Sequence, residues 1–269
     1  MNRIETAFSD AHAKNTRLLM PFLCGGFPRP GMTGPLLAAL ETNGASIVEI
    51  GIPFSDPIAD GPVIAGAMHD AIQAGATPAS IFAEVRSVRD SIGMGLVAMV
   101  SVSIVQRLGG HDGFLDRAKE AGFDGMIVPD LPLEEGGAFR DRCGELGLTF
   151  SYLVAPTTPR DRASALARSS TGFVYLLART GITGERDDAP DVAERVASLR
   201  RSTDLPIACG FGISKTAHVR AVVTHADAAI VGSALVRRIE QAVESGQDAV
   251  EAAGAFTREL ASGLHDTRG

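Results

Sequence analysis

Short apolar runs alternate with amphipathic stretches along the whole chain. The apolar runs are rich in β-branched residues and end at glycine or proline, which predicts strands at residues 18–24, 47–52, 96–102, 125–128, 150–154, 173–177, 206–209 and 228–231. The stretches between them predict helices at 34–42, 81–92, 113–121, 139–146, 160–168, 192–200, 217–223 and 236–244. Strand–helix units in this order predict a closed (β/α)₈ TIM barrel of the α/β class. An open, doubly wound sheet produces the same pattern and stays the rival.

No linker or low-complexity segment divides the chain, so we expect a single barrel domain over residues 1–269. Extra helices are predicted within residues 1–16 and after the second strand, at 63–74, because a simple strand-to-helix loop would be shorter there. A terminal helix is predicted at 249–263, with a frayed tail from 264 to 269.

Composition removes several classes of function. The net charge of −7 argues against a nucleic-acid partner, which would need a basic patch. The three cysteines, Cys24, Cys143 and Cys209, follow no CxxC spacing, which is typical of a reducing cytoplasm. The histidines are scattered, so we expect no metal site. The first residues lack the apolar core of a secretory signal, and no apolar run is long enough to cross a membrane, so we expect a soluble protein of the cytoplasm.

Two carboxylates fall near the end of the second predicted strand. Glu49 lies inside the apolar run, where an ionised side chain costs several kcal/mol unless it is paired, hydrogen-bonded or protonated. Asp60 follows in a loop stiffened by prolines. Such a pair suits acid–base chemistry, whereas a Glu satisfied by an arginine or by backbone amides is the competing interpretation. Asp130, after the fourth strand, is equally well explained as the cap of a turn.

Glycine-rich segments follow the last three predicted strands, at 178–184, 210–214 and 232–234. Backbone N–H groups in such loops approach an anion closely, and barrels often bind phosphate after strands seven and eight. Phe22, Tyr175 and Phe211 fall near strand ends, where they would line an apolar planar substrate or simply pack in the core.

These segments together resemble the tryptophan synthase α subunit family. The resemblance extends from Arg3 to about Glu240, and its most specific motifs are EIGIPFSDPIADGP, VPDLPLEE, LVAPTTP, RTGITG, GFGIS and VGSALV. It implies a (β/α)₈ barrel, a lyase of tryptophan biosynthesis that needs no metal or organic cofactor. The implied reaction is the retro-aldol cleavage of indole-3-glycerol phosphate to indole and glyceraldehyde 3-phosphate.

The resemblance also assigns roles to residues of this chain. Glu49 corresponds to the general acid–base catalyst, and Asp60 to the carboxylate that meets the indole N–H. The positions implied to bind the phosphate are Gly184, Gly212, Gly232 and Ser233. Other implied substrate-binding residues are Phe22, Tyr175, Arg179, Thr183 and Phe211, with Thr183 on a loop that closes over the site.

Two departures from the family pattern bear on the partner. The family implies a β subunit in an αββα tetramer, but Phe27 replaces a usual Asp, and Val102-Ser103-Ile104 replaces a usual Tyr-x-Asn element. A stand-alone lyase that releases free indole therefore stays open as an alternative. A barrel that binds ligand and acts on a partner without catalysis is the second alternative.

Overall fold

The computed structural model describes residues 1–57, 60–178, 191–210 and 212–264. In this part of the chain, nine parallel strands form one sheet. They are β1 (Leu18–Cys24), β2 (Ile47–Gly51), β3 (Gly95–Met99), β4 (Gly125–Ile127), β5 (Thr149–Phe150), β6 (Leu153–Val154), β7 (Val174–Leu177), β8 (Ile207–Gly210) and β9 (Ala228–Val231).

Helices follow the strands as the alternating pattern predicts. They are α1 (Arg3–Ala13), α2 (Thr33–Thr42), α3 (Pro62–Gln73), α4 (Pro78–Val88), α5 (Val102–Arg107), α6 (Gly110–Ala121), α7 (Gly137–Glu145), α8 (Arg160–Ser169), α9 (Ala193–Arg200), α10 (Thr216–Val223), α11 (Ser233–Glu244) and α12 (Ala249–Ala261). Within the described ranges, no helix has the length and apolar content that a membrane span requires.

The sheet curls into a barrel, as predicted. Its strand order is β5-β4-β3-β2-β1-β9-β8-β7-β6, so β5 and β6 stand at the two ends. Both belong to the one segment that was predicted as a single fifth strand, 150–154. This segment pairs with β4 through Thr149 and Phe150 and with β7 through Leu153 and Val154, which closes the ring. The interruption at Ser151 and Tyr152 is thus where the chain passes from one neighbouring strand to the other.

Strand β1 divides its pairing in a similar way. Leu18 to Pro21 pair with β9, whereas Phe22 to Cys24 pair with β2. The two halves of the barrel wall, β2 to β4 and β7 to β9, are therefore joined along β1 and along residues 149–154.

The buried apolar residues form two clusters, one inside the barrel and one between the strands and the surrounding helices. The inner cluster takes alternate residues of the strands, which is the spacing of one sheet face, and includes Met20, Ile47, Val97 and Ile127. The larger outer cluster packs the opposite strand face against the helices. Helix α1 closes the amino-terminal end of the barrel by inserting Ile4, which is fully buried.

One predicted element is wrong. The strand predicted at 96–102 ends at Met99, and α5 begins at Val102. The β-branched residues there favoured a strand, but Ser101 caps the helix by accepting a hydrogen bond from the Ser103 N–H at 3.2 Å. Elsewhere the predicted bounds shift by up to four residues at an end, the largest shift being at the end of α4, and helix ends commonly vary in this way. Of the tail predicted at 264–269, Leu264 is described and ends a 3₁₀ turn, Ser262–Leu264, whereas 265–269 lie outside the described residues.

Candidate active site

The carboxyl ends of the strands form the mouth of the barrel, and side chains of the inner face converge below it. Phe22 on β1 is the register partner of Glu49 on β2, and Glu49 is in turn the partner of Val97 on β3. Because alternate residues share a sheet face, Glu49 continues the inward row that begins at Ile47. Tyr175 on β7 belongs to the same inner cluster.

Glu49 is the most deeply buried carboxylate of this region, with 1% of its surface exposed. Its Oε1 has no hydrogen-bond partner among the residues that the structure describes. Burial raises the pKa of Glu49 well above that of an ordinary glutamate. The competing interpretation from the sequence, a Glu satisfied by an arginine or by backbone amides, is therefore not what the described residues show for this oxygen.

Asp60 lies in the loop between β2 and α3 and is half-buried. Its own N–H donates to the Pro57 carbonyl at 3.1 Å, which places the side chain just before the first turn of α3. Burial raises the pKa of Asp60 to about 6. The carboxyl group of Asp60 is therefore mostly ionised at neutral pH.

Tyr175 shares the electrostatic environment of both carboxylates. Burial raises the pKa of its phenol, and the charges of Glu49 and Asp60 raise it further. Tyr175 on β7 thus lies within electrostatic range of one carboxylate on β2 and of another in the loop that follows β2.

Glycines make room for the two aromatic rings. A Cβ at Gly51 would lie 2.5 Å from Cζ of Phe22, so only a glycine allows that ring its position. A Cβ at Gly210 would likewise lie 2.5 Å from the Tyr175 hydroxyl oxygen. Real Cβ atoms do not approach other atoms so closely, and both rings therefore rest directly on backbone.

A candidate anion site lies on the other side of β1. Gly232 caps α11, whose first residue, Ser233, is buried, and the first N–H groups of a helix have no partner within it. Gly212, on the neighbouring loop after β8, has a φ of 80°, which favours glycine. A Cβ at Gly232 would lie 3.8 Å from the Phe22 Cβ, so this helix start adjoins the aromatic wall.

Four predicted substrate-binding residues lie outside the described residues: Arg179, Thr183, Gly184 and Phe211. Their assignments stay predictions.

The structure shows a cavity of about 230 Å³ that the sequence did not indicate, and we name it the side cavity. It adjoins Asp60 and runs toward the ends of β3 and β4. Its apolar walls are Ile52, Phe54, Pro57, Met68, Met99 and Val100. Ser101 and Ser103 line it as well, together with Asp56, Pro129 and Asp130. Alternation along β3 places Met99 on the same face as Val97, but no sequence pattern brings α3, α5 and three loops to the same space.

Asp130 proves to be a helix cap. Its Oδ2 accepts a hydrogen bond from the Ser101 hydroxyl at 2.7 Å, and its Oδ1 accepts one from the Val102 N–H at 2.9 Å. The carboxylate thereby holds the start of α5, which supports the structural interpretation of this residue over a catalytic one.

Arg195 is a further residue that the sequence did not single out. From α9 it donates to the Leu177 carbonyl, at the end of β7, over 2.6 Å, and to the Val154 carbonyl over 3.5 Å. Burial lowers the pKa of its guanidinium. The side chain thus ties α9 to the strand that carries Tyr175.

Known proteins share this fold and sequence over nearly the full length. The family model described as tryptophan synthase alpha chain matches residues 8–265. The chain is 41% identical over 269 residues to the tryptophan synthase alpha chain of Solibacter usitatus, with 98% of each chain covered. It is 42% identical over 240 residues to that of Halorhodospira halophila, with 89% of this chain and 88% of the other covered.

Solved structures of tryptophan synthase have the same fold as this chain. The tryptophan synthase subunit alpha from Legionella pneumophila superposes with a TM-score of 0.87 at 32% identity, over 98% of each chain. A structure of Mycobacterium tuberculosis tryptophan synthase gives a TM-score of 0.88 at 32% identity, again over 98% of each chain.

Proposed function

The chain belongs to the tryptophan synthase alpha chain family and is a carbon–carbon lyase that cleaves indole-3-glycerol phosphate, and we propose that Glu49 and Asp60 carry out this cleavage. The observation that supports the assignment is that Glu49 and Asp60 both lie within electrostatic range of Tyr175 and that burial raises the pKa of each carboxyl group above its ordinary value. Nothing in the comparisons favours a stand-alone lyase or a non-catalytic barrel.

Glu49 serves as the general acid and base. Protonation of indole C3 turns the ring into an electron sink. Loss of the proton from the side-chain hydroxyl then forms the aldehyde, breaks the bond to C3 and returns its electron pair to the ring. Glu49 is suited to this exchange, since burial raises the pKa of its carboxyl group above the ordinary value and its Oε1 is unpartnered among the described residues.

Asp60 stabilises the charge that develops at the ring nitrogen. When C3 is protonated, positive charge appears at N1, and an ionised carboxylate beside it lowers the energy of that state. A pKa of about 6 leaves Asp60 ionised under neutral conditions. The two carboxylates thus divide the work, because Glu49 is buried inside the barrel whereas Asp60 lies half-buried in the loop that follows.

The substrate's phosphate rests at Gly212, Gly232 and Ser233. The N-terminus of α11 supplies backbone N–H groups and a partial positive charge, so an acidic protein holds an anion there without a lysine cluster. Phe22 and Tyr175 then flank the space between the phosphate end and the carboxylates. Gly184, Arg179, Thr183 and Phe211 are proposed as further substrate contacts on the strength of the family resemblance.

Family membership implies a β-subunit partner, and we place the chain in an αββα assembly in the cytoplasm. The departures from the family pattern are compatible with such a partner. Phe27 and Ile104 are buried, with 5% and 8% of their surfaces exposed, so both act in core packing rather than on a docking face. The described cysteines are free and buried, which suits a reducing compartment.

The test is indole release from indole-3-glycerol phosphate by the purified chain, with and without the cognate β subunit. We expect slow release that rises with the β subunit and is abolished by Glu49→Gln. Fast release that is indifferent to the β subunit would establish the stand-alone lyase instead. No release under either condition, with ligand still bound, would establish the non-catalytic barrel.

A further inference from the structure

We propose that the side cavity gives this enzyme room for indole-3-glycerol phosphates that carry an apolar substituent on the benzo ring. The inference rests on the proposed function, because it takes the positions of the phosphate, C3 and N1 from it. It adds the substrate range of the site.

The strand order sets the direction of the benzo ring. The phosphate end lies at β8 and β9, whereas β3 and β4 lie across the mouth, beyond β2. With the phosphate at Ser233, C3 at Glu49 and N1 at Asp60, the benzo ring points away from β9. It therefore enters the side cavity, which Asp60, Met99 and Pro129 line.

The cavity is larger than the benzo ring requires. A cavity of about 150 Å³ holds benzene, or about 25 Å³ for each ring carbon. Neither Glu49 nor Tyr175 is among the described residues that line the side cavity, so C3 lies outside it, and N1 lies at its boundary beside Asp60. The four benzo carbons that are not shared with the pyrrole ring take about 100 Å³ on the same scale. More than half of the 230 Å³ is then left for a substituent.

The chemistry of the walls selects apolar substituents. Ile52, Met68 and Val100 are buried at the base of the cavity, and thioethers such as that of Met68 adapt their shape to polarizable groups. The hydroxyl of Ser101 is occupied, because it donates to Asp130. Ser103 and Asp56 are exposed, so polar groups lie at the outer rim rather than at the base.

The experiment compares kcat/KM for indole release from the parent substrate with that from its 6-chloro and 6-methyl derivatives. We expect the substituted substrates to react within about threefold of the parent. Discrimination of more than about tenfold against both derivatives, with the parent cleaved normally, would overturn the proposal and leave the proposed function standing. No cleavage of the parent would overturn the proposed function itself.

Two variants that fill the cavity test the location. Ser103→Tyr and Met99→Phe each place a ring in the free space, and we expect the ratio of substituted to parent kcat/KM to fall about tenfold or more. Ser103→Ala is the matched control, and the same ratio should stay within about twofold of wild type. If both filled variants keep the wild-type ratio, the substituent lies elsewhere and the proposal is wrong. Two positions are tested so that a fold defect in one does not decide the result.

Discussion

The phenol of Tyr175 rests against the backbone of Gly210, so closely that a Cβ at position 210 would lie 2.5 Å from the hydroxyl oxygen. The two residues lie on adjacent strands, β7 and β8, and the phenol also shares the field of Glu49 and Asp60. A small residue on one strand thereby determines where an aromatic side chain of the next strand stands relative to the two carboxylates that we propose as catalytic.

This contact predicts the effect of Gly210→Ala. The added methyl group must displace the ring, and such overpacking costs about 1–3 kcal/mol. We expect kcat/KM to fall at least about tenfold, because displacement of a substrate-facing ring spoils the reacting geometry. Gly51→Ala would place its Cβ too close to the Phe22 ring, and we expect a similar loss of kcat/KM. Steady-state kinetics and urea unfolding measure both effects.

Gly144→Ala is the matched control for these two variants. Gly144 lies in α7 with no atom within 4 Å of its Cβ position. Kinetics should be unchanged and stability equal or higher by up to about 1 kcal/mol, since alanine is the better helix former. If Gly210→Ala behaves like this control, the Tyr175 position does not matter for catalysis.

Glu49→Gln should abolish turnover and change the pH dependence of stability. Burial raises the folded-state pKa of Glu49 above its unfolded value, so the folded chain binds the extra proton. The associated stability is complete below the unfolded pKa and is lost as pH rises toward the folded pKa. Glutamine has no charge to bury. The melting temperature of the variant relative to wild type should therefore increase between pH 5 and pH 8, as measured by thermal denaturation. A constant difference across this range would show that Glu49 is not raised in pKa.

The activity profile should show the ionisation of Asp60. Because burial raises the pKa of Asp60 to about 6, kcat/KM should rise as pH increases through that value and the carboxylate forms. Asp60→Asn should lose at least about 100-fold in kcat/KM, since the charge at N1 is then unopposed. Asp70→Asn removes an exposed carboxylate from α3 and should leave unchanged the pH at which kcat/KM rises. An acid limb near pH 4 in wild type would contradict the assignment of Asp60.

Arg195 should act as a positioning residue through β7. In Arg195→Met the Leu177 carbonyl loses its donor, at a cost of about 1–3 kcal/mol. We expect kcat/KM to decrease, mainly through KM, because the strand end that precedes the substrate-binding segment is released. Arg195→Lys should restore part of the loss, since it keeps one donor. A purely structural role would lower stability in both variants and leave KM as in wild type.

Ile4→Ala tests the closure at the opposite end of the barrel. Ile4 Cγ1 would lie 2.8 Å from a Cβ at Gly95, and its Cδ1 2.8 Å from one at Gly125, so the side chain fills the space between these strands. Its truncation should cost about 2–5 kcal/mol in urea unfolding. The kinetic constants at low temperature should not change, because this end is remote from the mouth. A change in kcat there would mean that the two ends are coupled.

The sequence predicted what depends on local pattern. Alternation placed Glu49 in a strand, and the strand–helix repeat predicted the barrel that closes through residues 149–154. It failed where distant segments decide the structure. Asp130 caps α5 across neighbouring strands, so the apolar residues after Met99 form a helix although their composition favours a strand. The side cavity is formed by α3, β3, α5 and three loops, and the sequence of none of these elements alone indicates an empty space.

The divided pairing of β1 has a consequence for the bound state. One half of this strand holds β2, which bears Glu49, and the other half holds β9, which leads into Ser233. A substrate that reaches from the carboxylates to the start of α11 crosses the same junction from inside. A bound substrate would contact both halves of the barrel wall, and ligand binding would therefore make the barrel more rigid.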